Sequence, residues 1–193
     1  TQIPHAALRF FVMGERGADH HSLPSSQEII KMGDLVEEAL LAGALGFSTS
    51  RTIKHKAGDG SYTPSLTASE PELTGIAMAI KRAGRGLIEV NSDFGDNDFE
   101  ILRRVSEFAN CPLTVLLLQV HNQPDLWKKT FSEIKNARAK GQLVTGQVGT
   151  RPIGMMLGFE SSIHPFINHP IWNKLGTLST EERYQKISTD QNL

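Results

Sequence analysis

The 193-residue chain lacks most of the features by which composition alone names a function. It has one cysteine, Cys111, so neither an internal disulfide nor a cysteine pair for a zinc ribbon can form, and a reducing compartment is expected. No run approaches the roughly 20 apolar residues of a membrane span, and no charged-then-apolar signal segment opens the chain. A cytoplasmic protein without a membrane partner is the simplest expectation. Charge of one sign is also missing: 20 Lys and Arg stand against 21 Asp and Glu, for a net charge of −1. That balance excludes the strong positive field of a general nucleic-acid binder. No glycine-rich phosphate loop is present, and no initiator methionine. The chain starts at Thr1 and ends in polar Thr189-Asp-Gln-Asn-Leu193, which reads as an internal segment. What is there, 39% apolar and 21% charged residues, is the composition of an ordinary globular domain.

Short β-like runs alternate with longer amphipathic stretches. Leu8 to Met13 (LRFFVM) reads as a first strand stopped by Gly14. Ser25-x-x-Glu28 is a capping box in front of a helix over about 26–42. A second strand follows over 45–49, then a long loop with Gly58, Gly60 and Pro64. Ser69-x-x-Glu72 caps a helix running to Arg82, with Pro71 in its tolerant first turn. A third strand covers 87–91, and Asn97-x-x-Glu100 opens a helix through Phe99, Ile101, Leu102, Val105 and Phe108. Leu113–Gln119 is continuous and apolar, as a strand covered on both faces would be. A helix through Trp127, Phe131 and Ile134 and a fifth strand over 143–148 complete the series.

Five strands with four intervening helices at βαβ spacing predict an α/β fold with a parallel sheet over 1–148. Residues 149–193 read as a loop-rich extension of the same domain, in which Ser179-x-x-Glu182 opens a short helix. Periodicity leaves two architectures open, a doubly wound sheet and a partial arc of a TIM-type (β/α)₈ barrel. In both, the working surface lies at the C-terminal ends of the strands. There stand Glu15 and Arg16; Ser48 to Thr52 with His55; Glu89, Asn91 and Asp93; Gln119, His121 and Asn122; and Gln147, Thr150 and Arg151. Arg51 could grip a carboxylate through its bidentate fork, and His55 could polarise a carbonyl or ligate a metal. His20 and His21 read as a solvated loop, His164 and His169 before proline as turn builders, and Cys111 as a small buried residue.

Gly43-Ala-Leu-Gly-Phe-Ser-Thr-Ser-Arg-Thr-x-x-His55, with Met13-Gly-Glu-Arg16 before it and Gln147-x-x-x-Arg-Pro-Ile-Gly154 after it, resembles the D-aminoacylase (N-acyl-D-amino-acid deacylase) branch of the amidohydrolase superfamily, co-linearly over about residues 2–190. The resemblance implies a (β/α)₈ hydrolase that cleaves an amide with water activated by a divalent metal, usually zinc. It places the His-x-His of the first barrel strand and the aspartate of the last outside Thr1–Leu193, so the metal is expected in the full-length parent, and the segment alone is expected to be inactive and can be metal-free. It also implies metal-binding histidines at the ends of the third and fourth strands, where this chain has Asn91 and Gln119; His121 is nearby but displaced. That leaves either a one-metal branch or a divergent activity in which Asn91 and Gln119 contact substrate; Gln147 is then a further substrate contact, Arg51 or Arg151 the partner of a substrate carboxylate, and His55 the residue facing the reacting carbonyl. Two other readings stand beside this one. The first is a divergent barrel that binds a small polar ligand or a partner without catalysis. The second is a complete small doubly wound α/β binding protein. A barrel arc would leave open sheet edges through which copies could associate.

Overall fold

A computed structural model describes residues 1–95, 97–151, 154, 156–161 and 163–189. The elements are β1 (Gln2–Pro4), α1 (His5–Met13), α2 (Ser26–Leu41), β2 (Gly46–Arg51), α3 (Glu70–Ala83), β3 (Ile88–Ser92), α4 (Asp98–Ala109), β4 (Leu113–Leu116), α5 (Leu126–Ala139), β5 (Val144–Gln147), α6 (Pro170–Leu175) and α7 (Thr180–Thr189). A short 3₁₀ turn at Gly14–Ala18 links α1 to the loop before α2. The strands form one parallel sheet in the order β1-β2-β3-β4-β5. That order decides between the two architectures. A doubly wound sheet reverses strand order at its middle, whereas right-handed crossovers that always step the same way keep the helices on one face, as in a barrel. The sheet is not closed. It is an arc with its helices outside.

The helix-side face of the sheet is apolar: Phe47, Ile88, Val90, Leu113, Val115 and Val144 are each no more than 2% exposed. They pack against Met32, Val36 and Leu40 of α2, Ile76 and Ile80 of α3, and Leu102 and Val105 of α4. By the period-2 alternation of strands, Ser48, Ser50, Glu89, Asn91, Thr114 and Leu116 turn to the opposite, inner face.

The run Leu8–Met13 is helical, against the sequence expectation of a strand. His5, Leu8, Arg9 and Met13 recur at helical spacing on a buried face, while Phe10 and Phe11 are 53% and 70% exposed, so the period is 3.6 and not 2. The first strand is instead Gln2–Pro4, in register with Gly46–Ser48. Glycine is required at Gly46, because a Cβ there would collide with the Leu87 carbonyl oxygen of the neighbouring strand. Of the predicted caps, the Ser25–Glu28 box is complete, as are the reciprocal bonds of Ser179 and Glu182. Asn97 makes no side-chain cap bond. At Ser69 half the box is missing: its hydroxyl accepts from Glu72 N–H, but the Glu72 carboxylate turns into the core. In α5, Thr130, Ile134 and Ala137 form the buried face, and Phe131 is 47% exposed.

Two compact units divide the chain: Thr1–His55 with Tyr62–Arg151, and Lys56–Ser61 with the chain from 152 onward. In the second unit His164 is buried, and its Nδ1 accepts from Phe166 N–H. His169 accepts from Ile171 N–H to cap α6. Both histidines therefore build turns, as their His-Pro context predicted. Pro152, Ile153 and the polar end from 190 lie outside the described residues.

Candidate functional site

A cavity of about 300 Å³ lies at the C-terminal strand ends, lined by Gln2, Pro4, His5, Ser48, Ser50, His55, Ser65, Glu89, Asn91 and Leu116, among others. The sheet itself builds its centre. Ser50 and Asn91 are register partners across β2 and β3, so both side chains stand side by side on the inner face. The chain leaves β2 at Arg51 and folds back, laying the His55 imidazole across the pair. His55 Nδ1 is 2.7 Å from Ser50 Oγ, and Nε2 is 3.1 Å from Asn91 Nδ2.

Asp93, just past β3, holds this fold-back. Its carboxylate accepts from the Thr52 hydroxyl (2.8 Å), Ile53 N–H (2.9 Å) and Lys54 Nζ (3.1 Å). Burial pushes the Asp93 carboxyl up, but these three donors hold it below the usual aspartate range. All three residues preceding His55 are thus tied to the neighbouring strand. Glu89 lies one layer deeper, in register with Ser48, and makes no hydrogen bond or ion pair among the described residues.

Beneath the cavity wall is a buried polar network that sequence reasoning missed. Glu72 accepts two bonds from Arg9 Nη1, at 2.7 and 2.8 Å, and contacts His5 Nε2 at 3.0 Å. A carboxylate only accepts, so Nε2 of His5 carries the proton and Nδ1 accepts from the Thr49 hydroxyl at 3.0 Å. Burial lowers the pKa of His5 and keeps it neutral. Burial would raise the Glu72 carboxyl, but the His5 hydrogen bond and the charge of Arg9 hold it below its ordinary value. Arg9 Nη2 also reaches the Asp19 and Ser22 carbonyls. The available signal was Glu72 on the face of α3 that also carries Leu73 and Ile76, with Arg9 four residues after His5.

The predicted site residues separate into groups. His55 and Asn91 meet in the cavity. Arg51 does not reach in freely: Nε bonds Asp98 at 2.8 Å and Nη1 bonds the Ala68 carbonyl at 2.7 Å, with the side chain 11% exposed. Asp98 in turn accepts from Ser92 Oγ. Gln147 sits on β5 in register with Leu116, while Gln119, His121 and Arg151 are exposed in the turns and chain beyond β4 and β5. Cys111 is buried, and burial pushes its thiol up to about 11. Among the described residues, no group of three or more His, Cys, Asp or Glu could hold a metal ion, and no helix is long and apolar enough to cross a membrane.

No known family profile matches the sequence, and no curated protein is similar enough to it to be matched. Solved structures are similar. A D-aminoacylase mutant in complex with 100 mM copper chloride superposes with a TM-score of 0.58 at 25% identity. A D-aminoacylase described as defining a novel subset of amidohydrolases gives 0.56 at 24%. A third D-aminoacylase structure, concerned with a binuclear metal centre activated by one metal and attenuated by the second, gives 0.58 at 25%. Each match covers 75% of this chain and 28% of the other, so the chain spans little more than a quarter of the length of these neighbours.

Proposed function

We propose, proceeding from a D-aminoacylase-like barrel arc, that this chain is part of an amidohydrolase cleaving the amide bond of an N-acyl amino acid or a similar small molecule. The observation that supports this reading is the cavity on the inner face of the strand ends, into which Ser50, His55, Glu89 and Asn91 bring polar groups, where parallel barrels carry their chemistry. In this reading His55 faces the scissile carbonyl, and Asn91, Gln119 and Gln147 offer amide groups to the substrate. Arg151 takes the substrate carboxylate in preference to Arg51, because Arg51 has already spent two donor positions on Asp98 and Ala68. Arg151 is exposed and makes no ion pair among the described residues.

A divalent metal, with zinc as the finer reading, would supply a Lewis acid and an activated water. The described residues do not fit such an ion by themselves: no ligand cluster forms, and Asn91 and Gln119 occupy the strand ends where the resemblance implies histidine. No step is therefore derived through the metal.

The test is hydrolysis of a panel of N-acyl-D- and N-acyl-L-amino acids by the full-length parent protein that contains this chain, before and after chelation and with zinc restored. Metal-stimulated release of the amino acid is expected. Arg151→Ala should raise KM roughly 10- to 150-fold, the loss of one charge-assisted contact of about 1.5–3 kcal/mol, and should leave carboxamide analogues unaffected. An unchanged KM refutes the role of Arg151. No hydrolysis of any panel member refutes the hydrolase reading and favours a divergent barrel that binds without catalysis, the reading that Asn91 and Gln119 support.

A further inference from the structure

We propose that Ser50, His55 and Asn91 form a hydroxyl–imidazole–amide relay that can accept an acyl group on Ser50 without a metal. The relay shares the cavity described above but does not rest on the metal-dependent reading. Its geometry satisfies the requirement for an activated nucleophile: a hydroxyl within hydrogen-bond reach of a base that a third group orients. Ser50 Oγ is 2.7 Å from Nδ1 and the Asn91 amide is 3.1 Å from Nε2.

The two ends of an amide exchange by a half-turn about Cβ–Cγ. With Oδ1 toward the ring, Nε2 carries the proton and Nδ1 presents its lone pair to the Ser50 hydroxyl. The same order of nucleophile, histidine and asparagine recurs, with a thiol in place of the hydroxyl, in cysteine hydrolases of unrelated fold. Two further features make the arrangement more than a chance surface contact. Ser50 and Asn91 are fixed to each other by strand register, and Asp93 pins the three residues before His55. The imidazole is held over its partners from two strands while its edge stays exposed to an incoming acyl group.

In the reaction, Ser50 Oγ bonds to the acyl carbon of an ester or amide and passes its proton to His55 Nδ1. The bond to the leaving alcohol or amine breaks, and that group takes the proton from Nδ1. Water then attacks the acyl-serine, Nδ1 takes its proton and returns it to Ser50 Oγ, and a carboxylic acid departs.

The experiment uses the whole chain, freed of metal by chelation, with p-nitrophenyl acetate and a fluorophosphonate as probes and intact mass plus peptide mapping as readouts. One adduct per chain on Ser50 is expected, absent in Ser50→Ala and formed at least tenfold more slowly in His55→Ala, since a positioned base contributes about 10²–10⁴ in rate. A second measurement guards against misfolded variants. In Ser50→Cys, iodoacetamide at pH 6 should alkylate position 50 faster than in Ser50→Cys/His55→Ala, with Cys111 silent because it is buried with a thiol pKa of about 11. Equal alkylation rates, or no Ser50 adduct above the Ser50→Ala background, overturn the proposal. Hydrolysis that appears only with added metal and without a Ser50 adduct overturns it while leaving the metal-dependent reading intact.

Discussion

Replacing Arg9 with methionine should cost the fold about 3–5 kcal/mol, the penalty for breaking a buried pair from one side. The magnitude follows from what Arg9 leaves behind. The Glu72 side chain is fully buried and would lose the Nη1 bonds at 2.7 and 2.8 Å, keeping only His5. The Asp19 and Ser22 carbonyls would lose their guanidinium donor as well. For a chain of this length, about 2–4 °C per kcal/mol translates the loss into a Tm roughly 6–20 °C lower. Equilibrium urea unfolding followed by circular dichroism, with an unchanged m-value, is the assay. Glu72 can escape the penalty by taking up a proton, so the loss should shrink as pH falls. The double variant Arg9→Met/Glu72→Leu leaves no charge behind and should be more stable than either single variant. A loss below about 1 kcal/mol for Arg9→Met, or a double variant no better than the sum of the singles, would refute the view that this network is a paired buried charge.

Further outcomes follow from other parts of the molecule. Burial lowers the folded pKa of His5, so unfolding takes up a proton; stability should be full above the unfolded value near 6.5 and fall as pH drops below it. His5→Gln should flatten that part of a stability–pH curve. Asp93, also depressed in the fold, contributes stability that is present above the unfolded aspartate pKa near 3.9 and is lost as pH falls through the lower folded value; Asp93→Asn should remove that acid limb and, in the same sample, slow any labelling of Ser50. Gly46→Ala would force a Cβ against the Leu87 carbonyl and should lower Tm, whereas Asn110→Gly, at the left-handed end of α4 with φ of 51°, should leave Tm unchanged or raise it by up to the equivalent of about 1 kcal/mol.

Much of the fold was legible because apolar period and capping chemistry are local. The box at Ser25 and Glu28, the strand at Ile88–Ser92 and the helix over Leu126–Ala139 each announce themselves within their own stretch of sequence. Leu8–Met13 misled because two exposed phenylalanines fill in the polar side of a helix and imitate a continuous strand. Glu72 misled in the opposite way. Three residues after a serine it fits a capping box, and only the distant Arg9 and His5 draw it inward. The candidate site was legible at His55 and Asn91, which follow from position at strand ends. Their union with Ser50, the occupation of Arg51 by Asp98 and the grip of Asp93 depend on strand register, which no single stretch of sequence specifies.

The clamp from Asp93 divides labour along the chain. Because residues 52–54 are anchored to β3, His55 takes its position from the neighbouring strand and not from the loop that continues beyond it. The segment immediately after His55, Lys56–Ser61, closes on itself through a local turn, with Ala57 N–H donating to the Ser61 carbonyl. The imidazole's anchors all lie on the sheet side of His55, in Ser50, Asn91 and the residues that Asp93 holds, and none of them lies in that turn.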